Sequence, residues 1–521
     1  MEHKQIQFDV AILGSGFGGS VLAMILAKQG AKVVIIDAKS HPRFAIGEST
    51  VPLTSQFFSL LSRKYEIPEL ANFGLNSPAG IQKIVGNCCG IKRIFGFTYH
   101  QFDKNYNSNN DIQFGNVWRD ENHLFRQEVD THLAKIAVNY GAVLKEDTPV
   151  ISVEINEQVK ITANNGEEIC AKYIVDGSGY RSLLAEKFTL RDATPKPKHH
   201  SRCIFTHMQG VLPFEKNENL SIPWCQGTLH HLFESGWIWV IPFGNHPQAT
   251  NNLTSVGLTL DSKKFPDLNL SGEEEFQSIL QKIPIVARQF AKATAVRPWI
   301  KTGRLQYSSH ATVGHRYCLL PHAAGFVDAL FSRGFSSTLE TIDVIAETLL
   351  ESLAEDDFSM QRFEHIDALQ HKILDFTDRI VHCAFISWAN FDLWNAWMRV
   401  WAIGVGTTES NLGSYLFMGK RSKWQPVHDP ITSRFEDPGF RSLFEDCETF
   451  IIDFKNNKIS ATEASTQLFQ RIANYDFQMT LPEQVCGHEW AMKNALCRDL
   501  FLGKPDLHKR WKAKQPDPHL V

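Results

Sequence analysis

Gly14-Ser15-Gly16-Phe17-Gly18-Gly19 satisfies the spacing G-x-G-x-x-G through Gly14, Gly16 and Gly19, and Asp37 follows eighteen positions after the last glycine. Residues of these types at this spacing hold a dinucleotide. The first glycine makes a tight turn, the second lets backbone approach a pyrophosphate, and the third lets a helix pack closely on a strand. A carboxylate at the position of Asp37 accepts hydrogen bonds from ribose hydroxyls. A second glycine turn, Asp176-Gly177-Ser178-Gly179, has the same small, polar composition. Further along stand the paired indoles Trp237 and Trp239, then His322, then Ser332-Arg333-Gly334. Lys83 and Lys92 bring amines to an otherwise apolar region, although a lysine is ordinarily a solvated surface residue.

The elements that must position these groups are legible around them. Residues 8–13 form a short apolar run of strand type. An apolar helical segment occupies residues 20–29, Gly30 stops it, and residues 32–36 form a second strand ending at Asp37. This strand–helix–strand order places a pyrophosphate on a helix N-terminus, where free N–H groups and the dipole favour an anion. Residues 173–176 read as a strand ending in the second glycine turn, and residues 317–334 as a third return of the chain. A helix is expected from Phe125-Arg126-Gln127 to Gly141, with strands near 94–100, 150–155 and 159–163. Residues 200–300 read as alternating strands, and the chain from about Phe335 onward as helical and tryptophan-rich.

Gross composition sets limits. With 521 residues the chain exceeds one simple core, and about two or three lobes are expected. A hydrophobic content of 43% with 21% charged residues is ordinary for a globular protein. The net charge of −4 provides no bulk attraction for nucleic acid or an acidic membrane. No apolar run reaches the roughly eighteen residues of a spanning helix, and the polar start MEHKQIQ is not a signal peptide. The ten cysteines lack C-x-x-C spacing, so a reducing, cytoplasmic setting is the default. The 36 phenylalanines and 12 tryptophans suit core packing and also a pocket for a flat aromatic ligand.

Three segments, PRFAIGESTVP (residues 42–52), WIWVIP (237–242) and AGFVDALFSRG (324–334), follow the glycine motif in order. Together they resemble the flavin-dependent halogenases of the tryptophan-halogenase superfamily, relatives of the flavin aromatic hydroxylases. The resemblance covers roughly residues 8–345. It implies a mixed α/β (α+β) fold: a Rossmann-like FAD-binding domain (1–60, 120–185 and 300–345), a β-sheet substrate domain (61–119 and 186–299) and a C-terminal helical region (346–521). It also implies FAD used as FADH2 from a separate flavin reductase, with O2 as co-substrate. A C4a-hydroperoxide would oxidise chloride or bromide to hypohalous acid, which a lysine then holds for an aromatic substrate, free or carrier-bound. No membrane or nucleic-acid partner is implied.

Carried over residue by residue, Gly14, Gly16, Gly19 and Asp37 hold the ADP part of the cofactor. Arg43 and the strap Gly47-Glu48-Ser49-Thr50 lie along the flavin. Arg126, Asp176, Gly179, His322 and Asp328 complete the cofactor set. Lys92 stands five positions before Phe97 in KRIFGF, as the family's lysine does, and Lys83 is its rival. The resemblance places halide on backbone N–H groups of Ser332, Arg333 and Gly334, with Trp237, Trp239 and Phe331 walling substrate from flavin. Ala329 replaces a usual proline, Arg333 adds a cation where the family has threonine, and His322 replaces an aspartate. Phe331 replaces the glutamate of free-tryptophan halogenases, which points to an indole, pyrrole or phenol and leaves the rearomatising base unnamed. Three other readings stay open on the sequence: a flavin hydroxylase, a flavin reductase acting on isoprenoid double bonds, and a flavin-binding protein without catalysis.

Overall fold

A computed structural model of the protein describes residues 7–75, 77–115, 120–214, 222–418 and 438–475. The tail after Lys504, basic in sequence, lies outside them, as do residues 419–437 of the helical region. The chain divides into two compact units. One comprises Met1–Gly90, Asp120–Pro197 and Gln306–Thr377; the other comprises Ile91–Arg119, Lys198–Leu305 and Asp378–Val521.

The first unit is built on an eight-stranded sheet. Its main path runs Val313–Gly314, Tyr317–Leu319, Glu168–Asp176, Phe8–Leu13, Val33–Ile36 and Val143–Lys145. The last five are mutually parallel. Central parallel strands are covered on both faces, so they read as continuous apolar runs. All four residues of Val33–Ile36 are accordingly buried. Helix Phe17–Lys28 connects the first two strands as a parallel crossover. Its glycine-rich start has a sequel in packing, because a Cβ on Gly19 would lie 2.0 Å from the Gly14 carbonyl oxygen. Only hydrogen there lets the helix lie this close to the strand end.

Parallel strands share one carboxyl edge, and ligands of such sheets bind beside it. Gly14 follows Leu13, Asp37 follows Ile36, Gly177 follows Asp176, and His322 lies just past Leu319. Backbone hydrogen bonds tie these exits together. Gly14 N–H donates to Ile36, Gly177 N–H to Leu13 and Leu320 N–H to Asp176, each at 2.8 Å. Segments far apart in sequence thus reach one rim.

The second unit holds another eight-stranded sheet. Its main path is Thr294–Ala295, Ser201–Gln209, Thr254–Asp261, Gly236–Pro242, Gly227–Phe233, Ile94–Tyr99 and Asp111–Gly115. Side chains alternate across a strand, and here the two faces differ in chemistry. One carries Ile94, Leu229, Ile238, Val240, Val256, Leu258 and Ile204, which form a core with Phe276, Ile279 and Val286. Those last three belong to helices Gly272–Gln281 and Pro284–Gln289, which lie inside the stretch expected to be strands. Their start was signalled by the capping box of Ser271 and Glu274. The opposite face carries Phe95, Phe97, His230, Trp237, Trp239 and Phe205. Helix Phe391–Met418 brings Trp394 to 5.4 Å from Phe97 and Trp401 to 5.6 Å from Phe95. Each such aromatic contributes about 1.5–3 kcal/mol by burial.

Among the described residues no helix is long and apolar enough to cross a membrane. No group of three or more His, Cys, Asp or Glu among them is arranged to hold a metal ion.

Candidate active site

In the first unit the predicted cofactor residues gather along the carboxyl edge of the sheet. Helix Phe17–Lys28 begins at Gly16 with no side-chain cap on its first turn, so its opening N–H groups are available to an anion. A Cβ on Gly16 would meet only Arg43 at 3.6 Å and Asp130 at 3.8 Å, ordinary contacts. A Cβ at Gly16 would thus clash with no protein atom. Asp37 accepts from Ser15 N–H, the Ser15 hydroxyl and Arg43 Nη2, each at 2.7 Å. Burial pushes its pKa up, but the Ser15 N–H, the Arg43 guanidinium and the Ser15 hydroxyl outweigh burial and hold the carboxyl below its ordinary value. It therefore stays an anionic acceptor.

Arg126 ties the strap to this region. Its Nη1 donates to the carbonyls of Ile46 at 2.8 Å and Gly47 at 2.9 Å, while Nε and Nη2 pair with Asp130. Gly47 sits at φ +90°, a conformation that costs glycine nothing. Beyond it, the Glu48 carbonyl accepts from Leu124 N–H, Ser49 bridges to His123, and the Thr50 hydroxyl donates to Glu121. The Asp176 carboxylate is spent on its own turn, accepting from Ser178, Ser182 and Leu184 N–H. Gly179 follows at φ +79° with nothing within 4 Å of a Cβ. An uncapped helix start, an open glycine beside a cation, and an anionic acceptor at the next strand end fit the pyrophosphate and ribose of FAD.

The turn at residues 331–334 has an unusual backbone. Phe331 and Ser332 both lie at positive φ, 71° and 52°, and Arg333 returns to φ −78°. Left-handed followed by right-handed backbone forms a nest, in which successive N–H groups converge on an anion. The left-handed geometry falls on Phe331 and Ser332 rather than on Gly334, which opens helix Gly334–Glu355. Non-glycine residues held there cost about 1–3 kcal/mol each, a strain that collects at functional sites. The Arg333 guanidinium is buried. It lies over the Phe376 ring at 5.0 Å. The His322 ring lies against Gly334, 3.3 Å from where a Cβ would be. Desolvation within this recess and then the Arg126 guanidinium push its pKa down to about 4, which keeps it neutral. Asp328 accepts from Leu330 N–H at 2.9 Å just before the turn.

The two candidate lysines differ in burial, Lys83 belonging to the first unit and Lys92 to the second. Lys83 is exposed on helix Ser77–Val85, whereas Lys92 has no accessible surface. The Lys92 ammonium lies 4.1 Å from the Phe95 ring centroid, within cation–π range. Phe95 stacks on His230 at 4.7 Å, and His230 on Trp237 at 5.3 Å. Trp237 and Trp239 are 5.6 Å apart, on alternate residues and so on one face. Trp239 donates to the Ser255 hydroxyl at 3.2 Å. Trp237 Nε1 is buried without an acceptor among the described residues. One amine, one imidazole and one orphan indole N–H thus lie along a single run of ring contacts, Lys92 to Phe95 to His230 to Trp237.

Gly257 shapes that face, since a Cβ there would fall 2.1 Å from the Trp239 ring. Gly257→Ala should displace the indole and lower stability by about 1–3 kcal/mol. Thermal melting with near-ultraviolet circular dichroism checks this, and an unchanged melt with an unchanged tryptophan signal would refute it. His230 is the residue that reading motifs passes over. Its signal was the pair His230-His231 in a strand next to WIWVIP, which puts one imidazole on each face.

The chain matches the family described as Tryptophan halogenase over residues 100–396, and an NAD(P)-binding Rossmann-like domain over residues 12–57. It belongs to the tryptophan halogenase family. It is similar to monodechloroaminopyrrolnitrin halogenase PrnC of Pseudomonas fluorescens, with 44% identity over 91% of this chain and 86% of that one. Tetracycline 7-halogenase of Kitasatospora aureofaciens is 38% identical over 92% of this chain and 88% of its own. Among solved structures, the halogenase PltM in complex with phloroglucinol and FAD superposes with a TM-score of 0.85. That pair is 31% identical and covers 90% of this chain and 96% of PltM. This halogenase is therefore a flavin-dependent enzyme whose cofactor is FAD. The hydroxylase, isoprenoid reductase and non-catalytic readings give way to that class.

Proposed function

We propose that this enzyme chlorinates or brominates an electron-rich ring, a phenol, pyrrole or indole, by holding hypohalous acid on the Lys92 ammonium. The observation that carries the reading is Lys92 itself, a lysine without accessible surface on an aromatic strand face. A buried amine beside stacked rings is a donor held out of bulk water, which is what polarising an oxidant beside a flat substrate requires. Reduced FAD with oxygen supplies the oxidising equivalents that turn halide into hypohalous acid, and a separate flavin reductase supplies the reduced flavin. Gly14, Gly16, Gly19 and Asp37 hold the ADP portion, with Arg43, Arg126 and the strap 47–50 beside the ring system. Within the turn at Ser332, Arg333 and Gly334 the Ser332 N–H donates to the Ala329 carbonyl at 3.0 Å, and halide is held by the backbone N–H groups that follow it. Lys92 donates a hydrogen bond to the oxygen of hypohalous acid, which withdraws electrons from the O–X bond and makes the halogen electrophilic. Trp237 and Trp239 align the substrate ring and keep water away.

PrnC and tetracycline 7-halogenase are named for ring substrates, and phloroglucinol is a phenol. These names support a phenol or pyrrole more than free tryptophan, as does Phe331 in place of glutamate. The test is turnover with FAD, a flavin reductase, NADH and oxygen on phenol, pyrrole and indole probes, with chloride and bromide in separate runs. A halogen isotope pattern in the product mass spectrum is expected. Hydroxylated product, or NADH oxidation without the added reductase, would refute the reading.

A further inference from the structure

Strand Gly227–Phe233 carries His230 and His231 on opposite faces, and the two rings live in different chemistry. His231 turns to the core side, where it meets the Thr98 hydroxyl at 2.8 Å, His100 at 3.1 Å and Gln289 at 2.9 Å. That ring is fully engaged. His230 turns to the aromatic face. Its Nδ1 meets the Gly96 carbonyl at 2.8 Å, and a carbonyl only accepts, so Nδ1 carries the proton. Nε2 is then the lone-pair nitrogen. Phe95 and Phe97 each stack on the ring at 4.7 Å, at 11° and 27°, which fixes its plane. Burial is the main force that pushes its pKa down to about 3. Hydrogen bonding to the Gly96 and Thr228 backbones opposes this, and charge on Lys92 and His231 adds to it. The imidazole thus waits unprotonated.

We propose that His230 Nε2 is the base that takes the proton from the substrate ring after the halogen has added. This rests on the halogenation reading above and supplies the base which that reading leaves open, since Phe331 has no proton-accepting group. In the first step the ring's π electrons form the C–X bond, and the O–X pair stays on oxygen. That oxygen takes a proton from the Lys92 ammonium and leaves as water. In the second step the C–H pair returns to the ring, restoring aromaticity, and the proton passes to Nε2. The imidazolium then gives its proton back to the Lys92 amine. The sum is Ar–H plus HOX giving Ar–X plus water, with both side chains restored. A stronger base would be protonated beforehand, and the Lys92 cation opposes that protonation. A weak base suffices because a ring carbon bearing both hydrogen and halogen is a strong acid.

The test exploits the order of steps. When proton loss is fast, halogen addition commits the molecule, and ring deuterium leaves the rate unchanged. The probe is 4-methylphenol against its isotopologue deuterated at both carbons ortho to the hydroxyl, with bromide, FAD, flavin reductase, NADH and oxygen. If the phenol, pyrrole and indole panel favours another ring, that ring's isotopologue replaces it. Wild type should show no isotope effect. His230→Gln and His230→Phe should slow halogenation by about a hundredfold, the range of general-base catalysis, and both should acquire a primary isotope effect. His230→Phe keeps the aromatic stack, so a structural role alone would leave it near wild type. Thermal melting and a near-ultraviolet tryptophan signal like those of wild type confirm folding of both variants. Wild-type product with no isotope effect in either variant would overturn the proposal while leaving the halogenation reading intact. A wild type that halogenates no ring overturns that reading and this proposal with it.

Discussion

Lys92→Met should lower halogenation by two to four orders of magnitude, about the range of a positioned proton donor or oxyanion contact. FAD binding and the oxidation of reduced flavin should be unchanged, with the oxidising equivalents released as peroxide or free hypohalous acid. The separation follows from where Lys92 sits. Its ammonium lies over the Phe95 ring at 4.1 Å, and in the proposed sequence it acts on the oxidant only after the flavin has formed it. Methionine keeps the length and apolar bulk of the side chain and removes the charge. Thermal melting and near-ultraviolet circular dichroism of the variant separate lost chemistry from lost folding. Lys83→Ala is the comparison. An exposed lysine on helix Ser77–Val85 should change stability by no more than about 0.5 kcal/mol. Product at the wild-type rate from Lys92→Met would move the oxidant to another group.

How much of this was legible in the sequence depends on whether a feature is local. The glycine motif, Asp37 and the glycine turn at 176–179 are local backbone chemistry, and their residue types announce the strand ends on which they stand. Lys92 was legible only by its spacing to Phe97, because burial of a lysine is a tertiary fact. The turn at 331–334 shows the limit most clearly. Its position was marked by Ser332-Arg333-Gly334, and glycine is the residue type that takes left-handed backbone most readily. The left-handed backbone instead falls on Phe331 and Ser332. No local preference puts a buried phenylalanine there; the surrounding packing does. Arg333 teaches the same lesson, since its charge could be counted but its direction, toward Phe376, could not. Helices Gly272–Gln281 and Pro284–Gln289 were hidden among strand patterns by brevity, though a capping box marked the first.

Gly16→Ala should fold as wild type yet lose FAD affinity, whereas Gly19→Ala should fail at both. The difference lies in what each new methyl meets. At Gly19 it lies 2.0 Å from the Gly14 carbonyl oxygen and 3.3 Å from the Ile12 side chain. Backbone and strand cannot yield at so short a distance, so the helix must lift and the turn that frames the site is lost. At Gly16 the nearest atoms are at 3.6 and 3.8 Å, which protein packing accepts without adjustment. The methyl there matters only to something that comes closer than any side chain does, and a pyrophosphate on the uncapped helix start is such a group. Overpacking of this kind costs about 1–3 kcal/mol, roughly ten- to a hundredfold in Kd. Thermal melting of the apoprotein and flavin fluorescence on titration with FAD separate the two effects. Equal FAD affinity in Gly16→Ala and wild type would mean that the pyrophosphate does not approach this glycine, and the ADP portion would have to be sought at the other strand ends of the same rim.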